Sequence, residues 1–284
     1  MEPYLGIAAL FGVTLLWGST FVVVKDTLNT LSPSLLLSVR FILSALCLLP
    51  FLRTDLKLWF AGTELGLVLF VGYATQTIGL QYTSVHRSAF LTALNVFFVP
   101  LFLSYFGHRL SRQIWLASLL AIAGVGLLSY DVTPPNGGDL WCLGTAIAYA
   151  IYIIRLGHYG QTHPALALSA VQLWVSAIFA TLWAILSQPA WFTTAQLAQL
   201  PWGALMYLAI ACTTVTTLLQ AWGQQRVSAS QSAILFTLEP VWASVFAFVL
   251  LGETLGLQGL TGAALVIMAT FVTTPFFSTS RSSH

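Results

Sequence analysis

Glu239 lies near the middle of an apolar stretch, residues 228–251, and Pro240 follows it directly. An ionisable side chain at the centre of a bilayer is expensive unless it faces protein, a cavity or a partner, so Glu239 is a site candidate on that ground alone. Its carboxylate could hold the cationic group of a solute or take up a proton; a hydrogen-bonded structural glutamate is the competing reading. The proline removes a backbone donor and frees a carbonyl of the preceding turn, which predicts a kink there. Asn95 holds the equivalent place in a second apolar stretch, residues 84–106, with Pro100 further along. Thr92 precedes Asn95, and Phe236 precedes Glu239, by one helical turn, so each pair shares a helix face. Ser88 and Ser232 fall on about the same faces and suit close helix packing. Gln76 and Gln220 stand near the ends of neighbouring stretches, with Tyr73 and Thr217 one turn earlier. Glutamine donates and accepts, which suits a zwitterionic or hydroxylated solute; interhelical hydrogen bonds from each to the following span are the alternative. Trp17 and Tyr149 take matching places in two further stretches and could wall a pocket for an amphipathic solute. Arg40, inside another, joins Glu239 as a candidate for coupling to a proton or a charge.

A repeat ties these candidates together. Residues 76–95, QTIGLQYTSVHRSAFLTALN, align with residues 220–239, QAWGQQRVSASQSAILFTLE, and the last pair is Asn95 and Glu239. A shift of about half the chain predicts two units built on one plan, residues 1–133 and 134–284. Hydrophobic residues make up 58% of the chain and charged residues 6%, where an ordinary soluble domain carries about a quarter charged. So few charges cannot coat a water-exposed surface; lipid must cover most of this one, which makes the chain an all-α membrane protein. A net charge of +2 without a basic run excludes a nucleic-acid partner. The cysteines lie far apart in apolar segments, and the histidines are scattered over predicted loops and ends. Neither pattern offers metal spacing or a catalytic cluster, and no glycine loop for phosphate is present, so no cofactor is expected.

Apolar stretches at residues 4–24, 34–52, 58–80, 84–106 and 113–130, then 140–157, 164–186, 202–222, 228–251 and 256–276, predict ten transmembrane helices. The first has no basic n-region and no cleavage site, so it is read as a span and not as a signal peptide. Residues 131–139, DVTPPNGGD, predict an irregular linker between the units. Residues 187–201, with Trp191 and Phe192, predict an interfacial loop, and residues 278–284 a polar tail. With the N-terminus inside, Arg53, Lys57, Arg109, Arg112, Arg155, Arg226 and Arg281 fall on the cytoplasmic side, against Lys25 and Arg87 outside. Both termini are then cytoplasmic. Lys25 and Arg155 are expected to snorkel to the headgroups, and Glu64 to pair with Lys57 or with another span. Five spans per unit is an odd number, so the second unit enters from the opposite side. Two inverted five-helix repeats are the pattern of many secondary transporters, whose sites lie near the midplane between the halves. A membrane enzyme acting on lipids and a non-transporting sensor are the alternatives from other classes.

The chain also resembles the EamA-type members of the drug/metabolite transporter superfamily. The resemblance rests on LLWGSTFVVVK (residues 15–25), on Arg40, and on the block from Gly79 through SVHRSAFLTALNVFFVPLF and a GHRL turn to AIAGVGLL. In the second half it rests on SASQSAILFTLEPVWASVFAFVLLGETL, whose GET turn fits the family's glycine–glutamate pattern; the first-half turn carries His108 and Arg109 instead. The resemblance implies an exporter or exchanger of small metabolites, such as amino acids or related solutes, in a bacterial inner membrane. Its cavity would be lined by spans one, three, four, six, eight and nine, with spans five and ten as buttresses. The expected partners are a small-molecule substrate and the lipid bilayer, with a homodimer compatible.

Overall fold

The computed structural model describes residues 2–129, 134–187, 200–251 and 256–273. Most of the expected interfacial loop, with Trp191 and Phe192, the GET turn, the polar tail with Arg281, and linker residues 131–133 lie outside the described residues.

Among the described residues every regular element is a helix: α1 (Glu2–Thr27), α2 (Pro33–Cys47), α3 (Leu56–Tyr82), α4 (Val85–Ala93), α5 (Asn95–Tyr105), α6 (Arg112–Leu128), α7 (Gly137–Tyr159), α8 (Ala165–Ser187), α9 (Trp202–Ala209), α10 (Thr216–Gln224), α11 (Ala229–Phe236), α12 (Glu239–Leu251) and α13 (Leu257–Thr273). Among the described residues six runs are long and apolar enough to cross a membrane: Pro3–Thr27, Leu56–Tyr82, Val85–Tyr105, Gly137–Tyr159, Ala165–Ser187 and Trp202–Gln224. Pro33–Cys47, Arg112–Leu128 and Leu257–Thr273 are shorter apolar helices. The protein is an integral membrane protein.

Local chemistry sets the starts. Ser32, Ser84, Ser111 and Ser228 each cap a helix by accepting a first-turn backbone N–H. Asn136 and Asp139 form a reciprocal capping box at α7. Gly137 to Asp139 are therefore helical, although they fall in the stretch predicted to be irregular. The predicted span 34–52 is also corrected: α2 stops at Cys47, and Pro50, which has no N–H, sits in a short 3₁₀ turn, Leu49–Phe51.

Three predicted spans are interrupted. The run through Val85–Tyr105 breaks at Leu94, and the predicted span 228–251 breaks over Thr237 and Leu238, so Asn95 and Glu239 each open a second half-helix. Pro240 explains the second break, since it cannot donate to the preceding turn. Pro100 lies inside α5 and does not cause the first. There the Asn95 Nδ2 donates to the Thr92 carbonyl at 3.0 Å, a side-chain bond that competes with the helix ladder. The third interruption is a π-helical turn, Ile210–Val215, between α9 and α10. Its threonines donate to carbonyls five residues back, Thr213 to Leu208 and Thr214 to Ala209 at 2.8 and 2.9 Å.

In the packing, α3 runs along α7 and α8, α2 along α8, and α6 along α13. At the last seam a β-carbon on Gly124 would come within 2.8 Å of the Gly262 carbonyl oxygen, so both backbones depend on glycine there. One buried cluster joins α2, α3, α7 and α8 through Phe41, Leu65, Tyr152 and Leu168. A second joins α1, α5, α7 and α11 through Leu10, Val99, Ile153 and Phe236. The candidate site lies where these clusters meet.

Candidate functional site

Two adjoining voids of about 10 Å³ each share Trp17, Tyr73, Tyr149 and Glu239 as wall residues. Each is large enough for about one water. Thr20, Phe21 and Gln76 complete one; Leu69, Asn95, Tyr152, Ile153, Gln220 and Phe236 complete the other. The helix breaks bring Asn95 and Glu239 here, and the long helices α1, α3 and α7 bring the aromatic rings. Trp17 packs against Phe236 with ring centroids 5.3 Å apart, and Tyr73 meets Tyr149 edge-on at 6.1 Å.

Glu239 is partly buried, and among the described residues no hydrogen bond or ion pair reaches its carboxylate. Asn95 differs: its Nδ2 is engaged, while its Oδ1 is buried without a partner. Gln76 Nε2 donates to Thr92 Oγ1 at 3.4 Å, a bond between α3 and α4 of the kind expected for Gln76. The matching expectation for Gln220 is not met. Its Nε2 donates to Gln224 Oε1 at 3.0 Å within α10, and Gln224 Nε2 donates to the Ile153 carbonyl of α7 at 2.9 Å. The Gln220–Gln224 contact is an i, i+4 pair within one helix, and Gln224 is the one that reaches α7.

Thr92 and Thr217 are buried but do not line the voids. Thr92 stands behind Gln76, and the Thr217 carbonyl accepts from Ser169 Oγ at 3.5 Å. Arg40 is buried outside the void walls. Its Nε donates to Thr213 Oγ1 at 2.7 Å, and its guanidinium carbon lies 4.7 Å from the Tyr73 ring centroid. Arg40 thus touches the void wall at Tyr73 and the π turn at Thr213. Thr20, Phe21, Tyr152 and Ile153 were not among the sequence candidates. The signal was present, since they fall within about one turn of Trp17 or Tyr149, near the faces those residues present.

The two ends of the bundle differ. Where α3 ends and α7 begins, Lys25 Nζ donates to the Leu80 and Thr83 carbonyls. Lys25 thus caps α3 and does not snorkel, because the last-turn carbonyls of α3 offer it acceptors. Arg87 pairs with Asp139 at 2.8 Å, and Thr83 Oγ1 donates to Asp139 Oδ1 at 3.1 Å. At the other end a chamber of about 930 Å³ opens between α5, α6, α7 and the α10–α11 turn. Gln224 lines this chamber and bonds Gln220 of the central void, so it forms part of the septum between them. Near the chamber Arg155 makes a bidentate pair with Glu64, and the Tyr159 hydroxyl donates to the same carboxylate. This overturns the snorkelling expected of Arg155 and gives Glu64 a partner on another helix. Ser88 accepts from Cys142 Sγ at 3.2 Å, and Ser232 donates to the Ser228 carbonyl at 2.9 Å.

A carboxylate ringed by aromatic faces, with amides beside it, can hold a cationic group and hydrogen-bond the rest of a small solute. Among the described residues lining the voids there is no clustered nucleophile and base. The profile of the EamA-like transporter family matches residues 4–130 and again residues 136–274. An uncharacterized transporter of Archaeoglobus fulgidus is 33% identical over 268 residues, covering 92% of this chain and 82% of that protein. The uncharacterized transporter YwfM of Bacillus subtilis is 31% identical over 163 residues, covering 56% of this chain and 53% of that protein. A solved crystal structure, 18% identical, superposes with a TM-score of 0.77 over 95% of this chain and 96% of that one. With a double family match across a helical membrane chain, the protein belongs to the EamA-like transporter family.

Proposed function

We propose that this protein is a secondary transporter of small metabolites, such as amino acids or related solutes, working by alternating access. Its units are two inverted five-helix repeats, residues 1–133 and 134–284, in a bacterial inner membrane with both termini cytoplasmic. The observation that carries the reading is Glu239. It is an unpartnered carboxylate at a helix break, inside a void walled by Trp17, Tyr73, Tyr149 and Phe236. That setting suits the amino group of a solute, with cation–π attraction adding ~0.5–2 kcal/mol to the charge contact. Gln76, Asn95 and Gln220 would bond the remaining polar groups. Thr92 would hold Gln76, and Thr217 would back Gln220, while Arg40 would couple charge through Tyr73.

The packing supports the inverted plan. Counting α4 with α5, α9 with α10, and α11 with α12 gives ten crossings from the described helices. α3 lies along α7 as α1 lies along α10, while α2 with α8 and α6 with α13 pair each element with its own mate. The repeat mates Gly79 and Gly223 each approach a glycine near a helix start, Gly138 and Gly6.

Movement follows from the two ends. Voids of about 10 Å³ hold no metabolite, so the centre is closed, with the chamber on its cytoplasmic side. Opening inward requires Gln224 to release the Ile153 carbonyl. Opening outward requires the Lys25, Thr83 and Arg87–Asp139 contacts to part. Counterflow in proteoliposomes, run across amino acids, amines and organic acids, tests the proposal. Saturable flux of at least one amine-bearing metabolite is expected. No counterflow for any class, together with turnover of the lipid, would reject transport in favour of a lipid-acting enzyme.

A further inference from the structure

The chamber of about 930 Å³ beneath the septum has a chemistry of its own, unlike that of the central site. Its polar wall carries Arg155, Arg226, His108 and His158, and no aspartate or glutamate lines it among the described residues. Its apolar wall includes Phe102, Phe106, Ile151 and Ile154. Phe106 and Ile151 are exposed, at 74% and 39%, so the apolar side is open at the surface of a protein that sits in lipid.

The two arginines are not equivalent. Arg155 is neutralised by Glu64. Arg226 has no carboxylate among the described residues: it donates to the Trp222 carbonyl at 2.9 Å, and its guanidinium carbon lies 3.8 Å from the Trp222 ring centroid. Stacking fixes the plane of the fork and leaves donors free, which suits the paired oxygens of an oxyanion. His108 and His158 also line the chamber and are exposed, and each offers a ring nitrogen to an anion.

We propose that this chamber is a binding site for an amphipathic phosphate ester of net negative charge. The phosphate would lie against Arg226, and the hydrocarbon against Phe102, Phe106, Ile151 and Ile154. The volume fits a drug-sized ligand. An anion against an unneutralised arginine, with its hydrocarbon against the apolar lining, satisfies both parts of the chamber at once. The assignment rests on the lining of the chamber and not on the transport reading. The ester could come from the membrane, as an anionic phospholipid headgroup, or from solution.

Thermal unfolding of the full chain in a neutral detergent tests the site. The additives are dihexanoyl phosphatidylglycerol, dihexanoyl phosphatidylcholine and phenyl phosphate. Protection by phosphatidylglycerol with phenyl phosphate inert assigns a phospholipid; protection by phenyl phosphate assigns a soluble ester as a competent ligand. Either supports the site if Arg226→Gln weakens the half-saturating concentration by about tenfold while Arg112→Gln, outside the chamber, does not. Ile154→Trp fills the chamber with Arg226 intact and is expected to abolish protection as well, which keeps the test decisive if Arg226→Gln fails to fold. Equal protection by phosphatidylcholine, protection that survives Ile154→Trp, or none from either phosphate would overturn the proposal.

Discussion

At Leu94, and again at Thr237 and Leu238, an apolar helix stops and restarts, and the restart opens on a polar side chain, Asn95 or Glu239. Both runs begin at a serine cap, Ser84 or Ser228, and the two breaks fall at matching repeat positions. Their chemistry then diverges. Asn95 turns back on its own chain and donates to the Thr92 carbonyl, so it helps to make the break at which it stands. Glu239 cannot donate as a carboxylate, and its break is made by Pro240 and by Thr237, whose hydroxyl bonds the Ile234 carbonyl at 2.6 Å. Relieved of that structural task, the Glu239 side chain lines the voids with no hydrogen-bond partner among the described residues. One backbone plan thus yields a neutral copy that serves the fold and an ionisable copy that lines the voids.

Exchanging the two side chains strikes the comparison hardest. The double variant Asn95→Glu, Glu239→Asn is expected to lose transport by at least about tenfold, because the carboxylate would then sit where the break needs a donor. Counterflow near the wild-type rate would mean that either copy can carry the charge. Next in size, Asn95→Leu strands the Thr92 carbonyl and should destabilise the protein by about 1–3 kcal/mol, read from unfolding in detergent. Gln224→Leu breaks the bond to the Ile153 carbonyl, so a thiol reagent in the chamber should reach a cysteine introduced at Gln220 faster than in the parent; an unchanged labelling rate would remove Gln224 from the septum. The smallest effect belongs to Ser232→Ala. Its hydroxyl bonds only within its own helix, so a change under about 1 kcal/mol is expected, less than for Ser88→Ala, whose hydroxyl meets Cys142 of another helix.

Much of this was legible in the sequence, for physical reasons. Few charges and long apolar runs can fold only as helices in lipid, and the repeat put Asn95 and Glu239 in register before any contact was known. Side chains one helical turn apart, such as Tyr73 and Gln76, share a face whatever the tertiary fold, and both line a void. What stayed hidden depends on partners far along the chain. Glu64 and Arg155 are 91 positions apart, and no local pattern joins them. The break at Leu94 carries neither glycine nor proline, and the π turn at Ile210–Val215 arises from threonine hydroxyls competing for carbonyls around Arg40. The capping box at Asn136 turned two glycines, helix breakers by habit, into the first turn of α7.

The most direct measurement compares Glu239→Gln with the parent in proteoliposomes, using an amine-bearing solute that gives counterflow, across a range of buffer pH. Glutamine keeps the shape of the side chain and removes its charge. Wild-type helicity and elution, flux near background, and no remaining response to pH are expected. Flux at the parent rate with the parent's response to pH would make Glu239 a structural residue and overturn its role in transport.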